Sequence, residues 1–161
     1  MSQEEEKPER EAILVAVDFS ENSAKALRYA ADLCGRLDDR LIVLHVIHDQ
    51  AGSPGYYSDK KLKGEKKRLK RLEEIASEMM ESFIEKQRDD HPEIKGVLKG
   101  AELLLVSGLT VTKILQVVEK KAPEMLVLGN KGRTGLKHIL LGSKAEHLVR
   151  LCQIPITLVK Q

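Results

Sequence analysis

Five short apolar runs punctuate an otherwise polar chain: AILVAV (12–17), LIVLHVI (41–47), LLLV (103–106), MLVL (125–128) and ITLV (156–159). They are continuous rather than alternating. Continuous runs of this length suit strands buried on both faces, as in a parallel sheet covered by helices. Helical spacing fills the gaps between them. Leu27, Ala30, Ala31 and Cys34 recur at i, i+3, i+4 and i+7, one face of a helix. Ile114, Leu115, Val118 and Ala122 keep a similar face, and Ala145, Leu148, Val149 and Cys152 repeat the first spacing. A longer pattern takes in Leu69, Leu72, Ala76, Met79, Met80, Phe83 and Ile84, with both methionines as core filler. Strand alternating with helix predicts an α/β fold with an open parallel sheet, helices on both faces and right-handed crossovers.

No repeat period and no linker divides the 161 residues, so the expectation is one domain over 11–161 behind a disordered charged tail, MSQEEEKPER. That start has no apolar stretch and does not read as a signal peptide. No window reaches the roughly 18 apolar residues of a membrane span. These features predict a soluble, cytoplasmic protein. A net charge of +2 and 3% aromatics argue against a dedicated nucleic-acid binder or a base-stacking platform. Cys34 and Cys152 form no C-x-x-C and read as small buried hydrophobes rather than a disulfide.

One segment departs from the pattern. QAGSPGYYSD (50–59) reads as a loop and leads into KKLKGEKKRLKRLEE, giving a basic loop-and-helix insert at about 50–71. Lys60, Lys61, Lys63, Lys66, Lys67, Arg68, Lys70 and Arg71 precede Glu73, Glu74, Glu78, Glu81 and Glu85. This order opposes the helix dipole, which favours acids first by about 0.3–1 kcal/mol per charge. A solvated helix face is the simpler account; a contact with an anionic partner is the functional one.

The candidate chemistry lies in LGNKGRTGLKHILLGSKAEHL (128–148). It is neither a Walker loop nor a Rossmann fingerprint, since the lysine and the glycine spacings are wrong for both. Gly129 ends a predicted strand, where the lack of a side chain lets a ligand or another backbone approach. Gly142 and Ser143 precede a predicted helix, whose free N–H groups favour an anion. Lys131, Arg133 and Lys144 add positive charge. A ligand-free account exists too, because Ser143 with Glu146 forms the S-x-x-E pattern of a capping box. If the strand order is 3-2-1-4-5, the first and fourth strands meet at the switch point where such sheets bind ligands. Asp18 in VAVDFSENS would then face Gly129 across one crevice. It could accept bonds from a base or ribose, or cap the next helix in competition with Ser20.

At this point the chain resembles the universal stress protein family, in its nucleotide-binding form. ILVAVDFSENSAKALRYAADL, LIVLHVI and GNKGRTGLKHILLGSKAEHLVRLCQIPITLVK carry the likeness, the last matching G-x2-G-x9-G-[S/T] without a gap. The resemblance implies a five-stranded parallel sheet in the order 3-2-1-4-5, like the adenine nucleotide alpha hydrolases. It implies a homodimer joined through the final strand, which begins at Pro155 and ends at Val159. It implies ATP or AMP as ligand, with Mg2+. By motif position, Asp18 resembles the acid near adenine and ribose, and Val46 the residue whose backbone reads the adenine edge. Gly129, Gly132, Gly142 and Ser143 resemble the phosphate cradle, with Lys131, Arg133, Lys144 and Ala145 beside it. The third strand departs from the family's Gly-x-Pro ending; here it closes on VSGLT.

The leading expectation is therefore a nucleotide-dependent regulatory dimer acting in the stress response, not an enzyme. A weak ATPase with His138 as base, or an interaction module with an empty site and an unknown protein partner, are the alternatives. DFSENS replaces the S-G-G-x-D-S of the pyrophosphatase-type synthetases, and Ser107-Gly108 stands where a receiver domain has its aspartate. His45 reads as a satisfied core residue, and His48 falls on the other face, so the two predict no metal site. His91 and His147 read as surface positions.

Overall fold

The structure, a computed structural model, describes residues 10–48, 65–132 and 141–160. The tail 1–9, the loop around Gln50 with Lys60, Lys61 and Lys63, the side chain of Lys66, and the segment 133–140 with Arg133 and His138 lie outside the described residues. Five strands form: β1 (Ala12–Ala16), β2 (Arg40–Ile47), β3 (Glu102–Ser107), β4 (Met125–Gly129) and β5 (Ile156–Val159). Each coincides with one of the apolar runs. They make one sheet in the order β3-β2-β1-β4-β5, and every pairing is parallel.

The helices are α1 (Glu21–Leu37), α2 (Glu65–Asp90), α3 (Lys95–Lys99), α4 (Thr110–Lys121) and α5 (Ser143–Leu151). Successive strand residues point to opposite faces, so the strands feed two cores. Ile13, Val15, Val43 and Val127 pack with Leu27, Ala30, Ala31 and Cys34 of α1, Met80 and Ile84 of α2, and Leu98 of α3. Leu14, Ile42, Leu44, Val46, Leu126 and Leu128 pack with Ile114, Val117 and Val118 of α4 and Leu148 of α5. Burying each large aliphatic side chain contributes about 1.5–3 kcal/mol.

Burial on both faces holds for β1 and most of β2. It fails at the sheet edges, where β5 is half-buried throughout and Leu103 of β3 is 40% exposed. An edge strand lacks a neighbour on one side, whatever its composition. The face expected for α4 also shifts: Val117 is buried, whereas Ala122 is an exposed, left-handed C-cap at φ 45°. Residues 65–71 of the basic insert form the first turns of α2, with Lys67, Lys70 and Arg71 exposed. Both cysteines are free; Cys34 is buried, while Cys152 ends α5 half-buried. Among the described residues no helix is long and apolar enough to cross a membrane.

Candidate functional site

β1 pairs with β2 on one side and β4 on the other, so chain order reverses at β1. Beyond the carboxyl ends of these strands, on the α4–α5 side, lies a cavity of about 620 Å³. Leu44, Ile114, Leu128 and Leu148 make its apolar wall, and Asp18, Lys131, Gly132, Ser143 and Lys144 its polar rim. Val46, Gly129, Gly142 and Ala145 also line it. Of the nucleotide-site residues expected from the sequence, Arg133 falls outside the described residues, as does the candidate base His138; the other nucleotide-site residues line this cavity.

The backbone at Phe19 aims Asp18. Phe19 has φ 63°, a left-handed conformation that a bulky side chain adopts only under constraint. Its ring stacks on His45 at 4.2 Å and meets Phe83 edge-on, in the core on the α1 side. His45 is buried, and its Nδ1–H donates to the Val17 carbonyl at 2.8 Å, so it is the satisfied core residue expected. Asp18 Oδ1 accepts from the Ser20 N–H at 3.1 Å and from the Ser20 hydroxyl. The N-cap of α1 is Ser20, which settles the competition with Asp18: its Oγ accepts from the Ser23 N–H.

Val46 owes its readiness to the length of β1. The last β1 register pair is Ala16 with Leu44, and the Val17 N–H still donates to the Leu44 carbonyl at 2.8 Å. Backbone groups of alternate residues on a strand point to the same neighbour. The N–H and C=O of Val46 therefore point to the β1 side, where β1 has already ended, and they meet no described backbone partner.

The glycine loop corrects two expectations. Ser143 is not the cap of α5. Gly142 occupies that position at φ −67°, ψ 148°, no side chain caps the helix, and Ser143 lies in the first turn. The capping box with Glu146 does not form, because the helix begins one residue earlier than the pattern requires, with Ser143 already inside its first turn. The N–H groups of Ser143, Lys144 and Ala145 have no described backbone partner, while the Glu146 N–H closes the first turn on the Gly142 carbonyl. Lys131 and Lys144 against Asp18 leave the rim positive, and the helix start adds to it.

Gly129 is also glycine for another reason than a ligand. A Cβ there would lie 2.7 Å from Nδ2 of Asn22 and 3.2 Å from its carbonyl oxygen, so the close approach is by α1. Gly132 does face the site; its Cβ would stand 3.4 Å from Asp18 Oδ2.

Sequence patterns missed several neighbours. Thr110 opens α4 behind Gly108 (φ 141°) and the 66% exposed Leu109, and it lines the cavity. His48, set aside as a non-ligand, borders the cavity too, its Nδ1–H donating to the Gly108 carbonyl at 3.2 Å. No group of three His, Cys, Asp or Glu among the described residues could hold a metal ion. Asn22 and Asn130 are buried and bonded to each other at 3.1 Å, with Asn22 Oδ1 left without a partner among the described residues. Such an orphan costs about 1–3 kcal/mol.

Two displaced titrations lie at the other end of the sheet. The Cys34 thiol is pushed up to about 12, by burial first and then by Asp39 and Glu124. The Glu124 carboxyl is also raised, by burial and then by Asp39.

This fold has counterparts. Universal stress protein MJ0577 of Methanocaldococcus jannaschii is 27% identical over 154 residues, covering 92% of this chain and 94% of that one. Its solved structure superposes with a TM-score of 0.60, covering 95% of this chain and 97% of the other. A universal stress protein from Archaeoglobus fulgidus, solved in complex with dAMP, superposes with a TM-score of 0.56 at 19% identity, covering 94% and 99%. Another, solved in complex with cAMP, gives 0.59 at 17% identity, covering 94% and 97%. The family model described as the universal stress protein family matches residues 9–160, nearly the whole chain and every element lining the cavity, so the chain belongs to the universal stress protein family.

Proposed function

We propose that the cavity binds an adenine nucleotide, ATP or AMP, and that the protein is a nucleotide-dependent regulatory dimer of the cytoplasmic stress response. The observation that carries this reading is the convergence of an acid, a free strand end and an uncapped helix start on one cavity. Phosphates suit the α5 end, where free N–H groups, the Ser143 hydroxyl, Lys131 and Lys144 all favour an anion. Asp18, acceptor-only when ionised, suits ribose hydroxyls. The base suits the apolar wall beside Val46, since an adenine edge offers a donor and an acceptor to a backbone C=O and N–H. Universal stress proteins of this fold solved with dAMP and with cAMP support an adenine-bearing ligand.

A magnesium ion would enter on the phosphates, Asp18 being the carboxylate of the cavity lining. The role is occupancy: a bound nucleotide bridges Asp18 to the glycine loop, and turnover stays at most slow. Ligand at about 100 times its Kd stabilises by about 2.7 kcal/mol, which raises Tm by roughly 5–10 °C for a chain this size. Differential scanning fluorimetry with Mg-ATP tests this against the double variant Gly132→Val, Ser143→Val. The wild type should shift and the variant should not. An unmoved wild type, or equal shifts in both, sinks the idea.

A further inference from the structure

Behind the cavity, on the α1 side of the sheet, two buried asparagines join α1 to the glycine loop. Asn22 is 3% exposed and Asn130 8% exposed, and neither lines the cavity. Both amide hydrogens of Asn22 are used: Nδ2 donates to Asn130 Oδ1 at 3.1 Å and to the Lys131 carbonyl at 2.9 Å. The Lys131 carbonyl can only accept, so the orientation of the Asn22 amide is fixed. Asn130 then reaches the far end of the loop, its carbonyl accepting from the Gly142 N–H at 2.8 Å. Its own N–H donates to the Val159 carbonyl at 3.0 Å, which ties the node to β5. The two ends of the loop, ten residues apart in sequence by number (132 to 142), thus meet at Asn130, whose main-chain carbonyl holds Gly142 while Asn22 holds its side chain and the next carbonyl.

Two further observations say that the pair is kept for this task. Gly129 has no side chain because Asn22 fills that space; a Cβ would sit 2.7 Å from Nδ2. Asn22 Oδ1 is buried without a partner among the described residues, so the amide is held by its two donations alone. The amide is retained for its donors, at a cost to the core.

We infer that Asn22 is a positioning residue for phosphate binding: through Asn130 and the Lys131 carbonyl it fixes the spacing between Gly132 and the α5 start, without touching the ligand. This rests on the nucleotide reading above. The nucleoside half of the site stands on other supports, since Asp18 is held by Ser20 and Val46 by the pairing of β2 with β3. Loosening the clasp therefore moves the phosphate donors and leaves the nucleoside contacts in place.

Calorimetric titration of the full chain with Mg-ATP and with adenosine tests this in wild type and Asn22→Leu. Leucine keeps the branched shape and removes both donors together with the orphan acceptor. The expected result is an ATP affinity at least about tenfold weaker, an adenosine affinity within about twofold, and a native far-UV circular dichroism spectrum with a lower Tm, because Asn130 Oδ1 and the Lys131 carbonyl lose their donor. Equal loss for both ligands overturns the inference and leaves the binding site standing. Wild-type protein that binds neither ligand defeats the functional reading instead. A stability cycle then judges the clasp without any ligand. Gly129→Ala should be destabilising alone and less so beside Asn22→Ala, where the colliding amide is gone and only the backbone carbonyl contact at 3.2 Å remains. The same loss in both backgrounds overturns the inference.

Discussion

Two serines stand near the starts of two helices bordering the site, and only one of them caps. Ser20 precedes α1 and its Oγ accepts from the Ser23 N–H at 3.2 Å. Ser143 sits inside the first turn of α5 and caps nothing. Ser20→Ala should therefore cost about 1 kcal/mol, whereas Ser143→Ala should stay within about 0.5 kcal/mol while reducing the Mg-ATP thermal shift. Urea denaturation of the two variants checks the first part; equal losses would restore the capping box. The S-x-x-E pattern was legible and misleading, because Gly142 takes the extended cap conformation and moves the helix start by one residue. The glycine spacing was legible as a loop closing on one crevice, and the cavity brings its described members together. The reason for Gly129 was not legible. Its partner, Asn22, lies on another element, and a sequence pattern carries no information about which distant side chain fills a gap. Cys34 was legible as a buried hydrophobe from its helical spacing alone, and its raised thiol pKa follows from the same burial.

At the scale of elements, all five strands were readable, because continuous apolar runs bounded by helical patterns have few other meanings. The run from Pro92 to Lys99 was not: it holds a 3-10 turn and the five-residue α3, too short to show a period. Ile94 and Leu98, four apart, are its only buried apolar residues. The loop into β4 carries a titration that no pattern shows. Glu124 is raised by burial and by Asp39, with which it shares a hydrogen bond. Its folded pKa lies above its unfolded value, so folding takes up a proton. The associated stability is fully present below the unfolded carboxyl pKa of about 4.3. It is lost as pH rises through the folded value. Glu124→Gln keeps the hydrogen bond without the charge. Its urea midpoint should match wild type near pH 4 and exceed it by pH 7. Both residues are partly solvated, so the gain should stay within about 1 kcal/mol. A difference that does not grow with pH would show that the pair is not titrating.

At the scale of the whole molecule, the rule that parallel sheets bind ligands where chain order reverses located the cavity before any side chain was placed. The same topology leaves β5 at an edge, and its free side can be derived. The Leu126 N–H donates to the Pro155 carbonyl and the Asn130 N–H to the Val159 carbonyl. Residues 155, 157 and 159 thus turn their backbone groups to β4. Ile156 and Leu158 turn theirs outward, as an unpaired row that can template another strand. All four residues of β5 remain half-buried, and α5, which leads into it, exposes Val149 (47%) and Leu151 (58%). A two-fold pairing of this strand with its copy would cover both features, since an isologous contact uses one patch twice. Light scattering should give about twice the 18.1 kDa of one chain. Leu158→Pro removes an outward N–H and keeps the apolar character of the position, so it should give a single-chain mass with an unchanged far-UV circular dichroism spectrum. A wild-type mass of one chain, or a Leu158→Pro protein that keeps twice that mass, would rule out β5 as the joining strand.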